Sequence, residues 1–153
     1  GDVARLANRD RHAFAALMLA HGHGDALVTG ATRKGAHVMD TLGHVFDIGP
    51  ADGAVGVTAV LLRGRIVFVA DTLVQEWPEE RDLALIARRA AQVARDFGLA
   101  PRVAFLSFST FGHPDSERAR KMHGAPRVLD AEGADFEYEG EMTVDVALNP
   151  QAM

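Results

Sequence analysis

Ser107 lies near the end of residues 103–108, an apolar, β-favouring run short enough for a strand buried on both faces, and Ser109, Thr110 and Gly112 stand directly behind that run. His113-Pro114 and a helical pattern from Asp115 follow. A strand that hands hydroxyls and a glycine to a helix N-terminus makes a place for an anion, because free backbone N–H groups and the helix dipole both favour negative charge there. The same residues also read as a strand and an ordinary capped turn, with Asp115 or Ser116 as the cap.

Other residues invite chemistry less specifically. Arg33 and Lys34, beside Thr29-Gly30, could hold a phosphate or form a solvated helix start. Asp71 closes an apolar run and is either functional or a turn former. His12, His21 and His23 raise the question of a metal, but no carboxylate shares a helical face with them at ligand spacing, so no metal site is expected. No Gly-x-Ser-x-Gly elbow surrounds Ser107 or Ser109, which leaves neither assigned as a nucleophile. With no Gly-x-x-x-x-Gly-Lys loop and no Gly-x-Gly-x-x-Gly after a strand, nucleotide hydrolysis and dinucleotide binding are poorly supported.

The elements that must position these residues follow from periodicity. Asn8 or Asp10 opens a helix carrying Phe14, Leu17, Met18 and His21, stopped by Gly22 and Gly24. Residues 25–30 read as a short buried strand, and a second helix covers about 36–46. Residues 55–62 and 65–70 are β-rich runs joined by Arg63-Gly64, a tight hairpin. Pro78 sits at the first turn of the clearest helix, with Glu79, Glu80 and Asp82 at one end, Arg88, Arg89 and Arg95 towards the other, and Gly98 as its stop. After the central strand, a helix from Pro114 to about Glu132 is interrupted by Gly124 and Pro126. Residues 136–139 form a last strand, and Asp145 could start another helix.

Strands alternating with helical crossovers predict an α/β fold, a three-layer α/β/α sandwich with a mainly parallel sheet plus one antiparallel hairpin. Ligands of such sheets sit beyond the C-terminal strand ends. That rule would gather Thr29-Gly30, Asp71-Thr72, Ser107-Ser109-Thr110 and Gly140-Glu141 at one edge.

Composition sets the outer bounds. The 153 residues fit one domain, and a formal charge of −5 without a basic stripe argues against nucleic acid. No apolar run approaches the ~18 residues of a membrane span. The absence of cysteine excludes disulfides and thiolate metal sites and suits a cytoplasmic location.

Five blocks in this order and spacing carry a family resemblance: Phe14-Ala-Ala-Leu-Met-Leu-Ala-His-Gly22, Asp25-Ala-Leu-Val-Thr-Gly30, Phe68-Val-Ala-Asp-Thr72, Arg102-Val-Ala-Phe-Leu-Ser-Phe-Ser-Thr110 and Phe136-Glu-Tyr-Glu-Gly-Glu-Met142. The series resembles the phosphate acetyl/butyryltransferase family. Its details are similar to the version fused to the C-terminus of bacterial multidomain NADP-dependent malic enzymes. The resemblance implies a module of two α/β domains with an acyl-CoA cleft. Residues 1–153 would be a single α/β domain from its C-terminal portion, incomplete at both ends. The family's Asn-Asp-Leu-Ser-Arg segment, associated with catalysis, would then lie beyond Met153. Active members usually carry an Arg-Pro pair in the helix after the Ser/Thr-Gly-Ala turn, and here those positions are Asp40 and Thr41. An aspartate repels a phosphate that an arginine would grip.

The resemblance thus implies an acetyl-CoA-binding regulatory domain, with no catalytic residue and no cofactor of its own. Malate decarboxylation, NADP and a divalent metal would belong to other domains of the parent chain. Thr29, Gly30, Ser107, Ser109, Thr110 and Gly112 would line the acyl-CoA or phosphate side, with Arg33 and Lys34 towards the CoA phosphates. Expected partners are acetyl-CoA or a related acyl-CoA, the remaining parent domains and a second copy in a homo-oligomer, with no nucleic acid or membrane. The alternatives are an active phosphate acetyltransferase and a platform for oligomerisation.

Overall fold

The computed structural model describes residues 2–46, 53–62, 64–109 and 117–149, which fall into two compact units, 1–54 and 55–153. The first unit is helical. It comprises α1 (Asp2–Arg9), α2 (Arg11–Ala20) and α3 (Gly35–Phe46). Asp10 separates α1 from α2 and caps the latter, its carboxylate accepting the N–H groups of His12 at 2.7 Å and Ala13 at 3.3 Å. Helix α2 buries its small side, Ala13 and Ala16 together with His12, whereas Phe14 and Met18 are exposed. Helix α1 precedes the helical start that the sequence pattern predicts at Asn8 or Asp10.

Residues 25–30 are not the buried strand that their apolar pattern predicts. They run without a ladder, and Val28 is 98% exposed. The reason is partnership. A β-strand is stabilised by cross-strand bonds and side-chain pairs, and the described residues of this unit offer no other strand.

The second unit is the α/β portion. Strands β1 (Val57–Leu62) and β2 (Arg65–Ala70) form the antiparallel hairpin, closing with Leu62 opposite Arg65 across the expected two-residue connection. Helix α4 (Glu80–Asp96) then leads to β3 (Arg102–Leu106), α5 (Glu117–Ala131), β4 (Glu137–Met142) and α6 (Val144–Leu148). Strands β3 and β4 pair in parallel across α5, so the fold is α/β with one hairpin and one parallel pair, each two-stranded among the described residues.

Helix α4 carries the expected acidic N-terminus but begins at Glu80 with Glu79 as its cap, so Pro78 stands ahead of the first turn and not within it. The Glu79 N–H donates to Asp82 Oδ2 at 2.9 Å, while Arg95 lies in the last turn. Helix α5 runs through Pro126 without ending there. It packs closely on α4, since a Cβ at Gly124 would collide with the Glu80 side chain. The core of the unit is Leu83, Ala84 and Ala87 of α4, Phe105 of β3 and Ala125 and Leu129 of α5. Strand β3 is less enclosed than its composition predicts. Phe105 is buried, but Leu106 is 39% exposed and Phe108, just beyond the strand, 61% exposed.

Candidate functional site

Three polar constellations stand at the ends of these elements. The most buried lies at the C-terminal ends of β3 and β4. The Ser107 N–H continues the parallel ladder by donating to the Met142 carbonyl at 2.9 Å. The Ser109 hydroxyl donates to Glu141 Oε1 at 2.7 Å, and Ser107 Oγ lies 3.1 Å from Ser109 Oγ. With the Ser109 proton given to Glu141, Ser107 must be the donor in that second bond. The Ser109 N–H returns to Ser107 Oγ at 3.3 Å. Both hydroxyls are thereby oriented inward along a chain that ends on a carboxylate. Ser109 is 1% exposed and Glu141 0%, while Ser107 is half-buried and holds the accessible end.

Gly140 allows this close approach. Its φ is +130°, and a Cβ there would lie 2.7 Å from the Phe105 carbonyl oxygen. Gly140→Ala is therefore expected to destabilise the unit, with backbone strain alone costing about 1–3 kcal/mol. A midpoint of chemical denaturation unchanged from the parent would contradict this.

The second constellation surrounds Asp71, just past β2. Its Oδ1 accepts the N–H groups of Gly56 at 2.9 Å, Leu73 at 2.9 Å and Val74 at 3.1 Å, and Oδ2 accepts that of Gln75 at 2.8 Å. Partial burial pushes the Asp71 carboxyl up. The four amides together outweigh it and hold the group below the usual carboxylate range. These bonds make Asp71 an organiser of the loop, which answers the choice left open by the sequence in favour of turn formation. A carboxyl depressed in the folded state supports the fold above its unfolded value, about 3.9, and loses that contribution as pH falls through the folded value. Asp71→Asn keeps an acceptor for three of the four amides but turns an NH2 towards Gln75. It is expected to lower stability at neutral pH and to flatten its decline below about pH 4. Denaturation curves from pH 7 to pH 2 check both effects.

The third constellation lies in the helical unit. His12, buried within α2, bonds through Nδ1 to Thr29 Oγ1, and His37 Nε2 stands 3.4 Å from Asp10 Oδ2. The amide of His12, above all, holds the Asp10 carboxyl below its ordinary range. Thr29 is thus tied to α2, with Gly30 at φ +126° and Ala31 at φ +59° turning the chain towards α3. Arg33 and Lys34 are exposed ahead of α3, and the Lys34 carbonyl accepts the His37 N–H at 3.0 Å. Asp40 is exposed on α3, its carbonyl accepting from His44 Nδ1 at 2.6 Å; Thr41 is buried, donating to the His37 carbonyl at 2.9 Å.

Of the sequence-derived candidates, Ser107 and Ser109 are in direct contact. Thr29, Gly30, Arg33 and Lys34 belong to the other unit. Thr110 and Gly112 lie outside the described residues. The sequence pattern marks Glu141 only as part of a strand end, not as a site residue. Its signal was a carboxylate between Gly140 and Met142, at the end of a strand parallel to the serine strand. Among the described residues, no three of His, Cys, Asp and Glu come together in a way that could hold a metal ion, and no helix is long and apolar enough to cross a membrane.

An α/β unit with a buried hydroxyl–carboxylate chain at the end of a parallel strand pair is the class of structure at hand. The chain belongs to the phosphate acetyl/butaryl transferase family, whose sequence profile matches residues 2–153. It is 47% identical over 152 residues to the NADP-dependent malic enzyme of Rhizobium meliloti (strain 1021), a match covering 99% of this chain and 20% of the relative. It is 32% identical over 153 residues to the phosphate acetyltransferase of Bacillus subtilis (strain 168), covering 97% of this chain and 46% of the relative. Among solved structures it is similar to a phosphotransacetylase from Streptococcus pyogenes, with a TM-score of 0.79 and 25% identity over 94% of this chain and 44% of the other. The EutD phosphotransacetylase from Staphylococcus aureus gives a TM-score of 0.73 at 25% identity, over 92% and 44%. The chain spans less than half the length of each of these relatives.

Proposed function

We propose that this chain is an acyl-CoA-responsive, non-catalytic part of an NADP-dependent malic enzyme, in which acetyl-CoA binding restrains malate decarboxylation elsewhere in the polypeptide. The observation that carries the reading is the 47% identity to a malic enzyme along 99% of the chain, against 32% and 36% to two phosphate acetyltransferases. Asp40 supports it, since an exposed carboxylate stands where the resemblance implies a CoA-gripping arginine in active members. A sensor needs no chemistry. It needs only a ligand that binds one conformation better than another.

The residues divide into groups with different tasks. Ser107 offers the accessible hydroxyl to an anionic acyl carrier, and Ser109, held by Glu141, positions Ser107 from behind. Thr110 and Gly112, which follow in sequence, are assigned to the same anion on the family resemblance alone. Thr29, Gly30, Arg33 and Lys34 belong to the helical unit, where the two exposed cations suit a phosphate group. Ligand binding at Ser107 exchanges an internal hydrogen bond for one to the ligand. Ser107→Ala is therefore expected to weaken acetyl-CoA binding about tenfold, corresponding to the net value of one hydrogen bond to a charged group.

The test is malate-dependent NADPH formation by the intact polypeptide, with and without acetyl-CoA. A fall in rate that Ser107→Ala relieves supports the proposal, and a rate indifferent to saturating acetyl-CoA overturns it. The hydroxyl–carboxylate pair of Ser109 and Glu141 favours a second reading, an active phosphate acetyltransferase. That reading requires acetyl phosphate and CoA to yield acetyl-CoA, and a flat trace ends it.

A further inference from the structure

Between β2 and β3 runs an apolar slot of about 700 Å³, floored by α4 (Ile86, Ala90) and walled by α6 (Val144, Leu148). Every residue of 66–71 and of 102–106 lines it. A strand that borders a cavity with its face contributes alternate residues, so two unbroken runs mean that the slot is bordered by strand edges. Backbone alternation agrees. Leu62 opposite Arg65 is the closing pair of the hairpin, which turns the Phe68 and Ala70 N–H groups away from β1. The Ser107 N–H donates to the Met142 carbonyl of β4, so the Ala104 and Leu106 N–H groups point the other way. The chain passes from β2 to β3 through α4, the kind of helical connection that joins neighbouring strands of one sheet.

We propose that this slot seats one further strand, supplied by a segment of the same polypeptide outside residues 1–153, which joins the two strand pairs into a five-stranded sheet. A five-residue strand at ordinary sheet spacings fills ~800 Å³, close to the volume present. The relatives have chain to supply it, since the matched region is 46% of the Bacillus subtilis protein and 44% of each solved structure. A second copy of this chain fits less well. The occupant needs both edges free, and among the described residues each strand is already paired on one. The proposal rests on the fold and is independent of the acyl-CoA reading.

Hydrogen exchange at single-residue resolution on the intact polypeptide tests it. The Phe68, Ala70, Ala104 and Leu106 amides are expected to exchange within about tenfold of their ladder-bonded neighbours Val67 and Phe105. Exchange about 100-fold or more faster than those neighbours marks open edges and overturns the proposal. Protection that disappears on dilution assigns the slot to a second copy and also overturns it.

Discussion

Leu129→Ala is expected to lower the stability of the second unit by about 2–5 kcal/mol. Leu129 is fully buried on α5, in one cluster with Leu83, Ala84 and Ala87 of α4 and Phe105 of β3. Truncation removes its transfer free energy and leaves a cavity, because three of the surrounding residues are alanines with no side chain long enough to close it. At roughly 2–4 °C per kcal/mol for a chain of this size, the melting temperature should fall by about 5–15 °C. Leu129→Met preserves volume and should cost less than about 1.5 kcal/mol. Equal losses from the two variants in urea denaturation would show that packing around Leu129 does not hold β3 against α4 and α5.

Glu141→Ala is expected to cost about 3 kcal/mol, and to disturb the serine chain as well. The side chain is 0% exposed and accepts the Ser109 hydroxyl at 2.7 Å. Its removal leaves a cavity and a buried hydroxyl that must find another acceptor. Glu141→Gln retains an amide oxygen for Ser109 and should recover most of the stability. The same pair separates positioning from packing. If Glu141 orients Ser107 through Ser109, Glu141→Gln should bind acetyl-CoA nearly as the parent does, while Glu141→Ala loses affinity even at temperatures where it remains folded. Equal affinities in the two folded variants would reduce Glu141 to a structural role.

The parts of this fold visible in the sequence are those set by local rules. Pro78, the acidic run at 79–82 and Gly98 bracket α4; Arg63-Gly64 marks the hairpin; Asp10 and Gly22 bound α2. Tertiary partnership is not written locally. Residues 25–30 have strand composition but no neighbouring strand, and they run free of any ladder. The face of α2 shows the same limit, since Ala13 and Ala16 are buried while the larger Phe14 is exposed. In the candidate site, Ser107 and Ser109 were legible because hydroxyls at a strand end are a local pattern. Their dependence on Glu141 was not, because 32 residues separate Ser109 from its acceptor and only the parallel pairing of β3 with β4 unites them.

Calorimetric titration of the intact polypeptide with acetyl-CoA, beside the Ser107→Ala variant, tests the central claim most directly. The expected result is saturable binding by the parent and affinity about tenfold weaker in the variant, with no acetyl-CoA formed from acetyl phosphate and CoA. Identical isotherms for the two proteins, or no heat of binding from either, would contradict it.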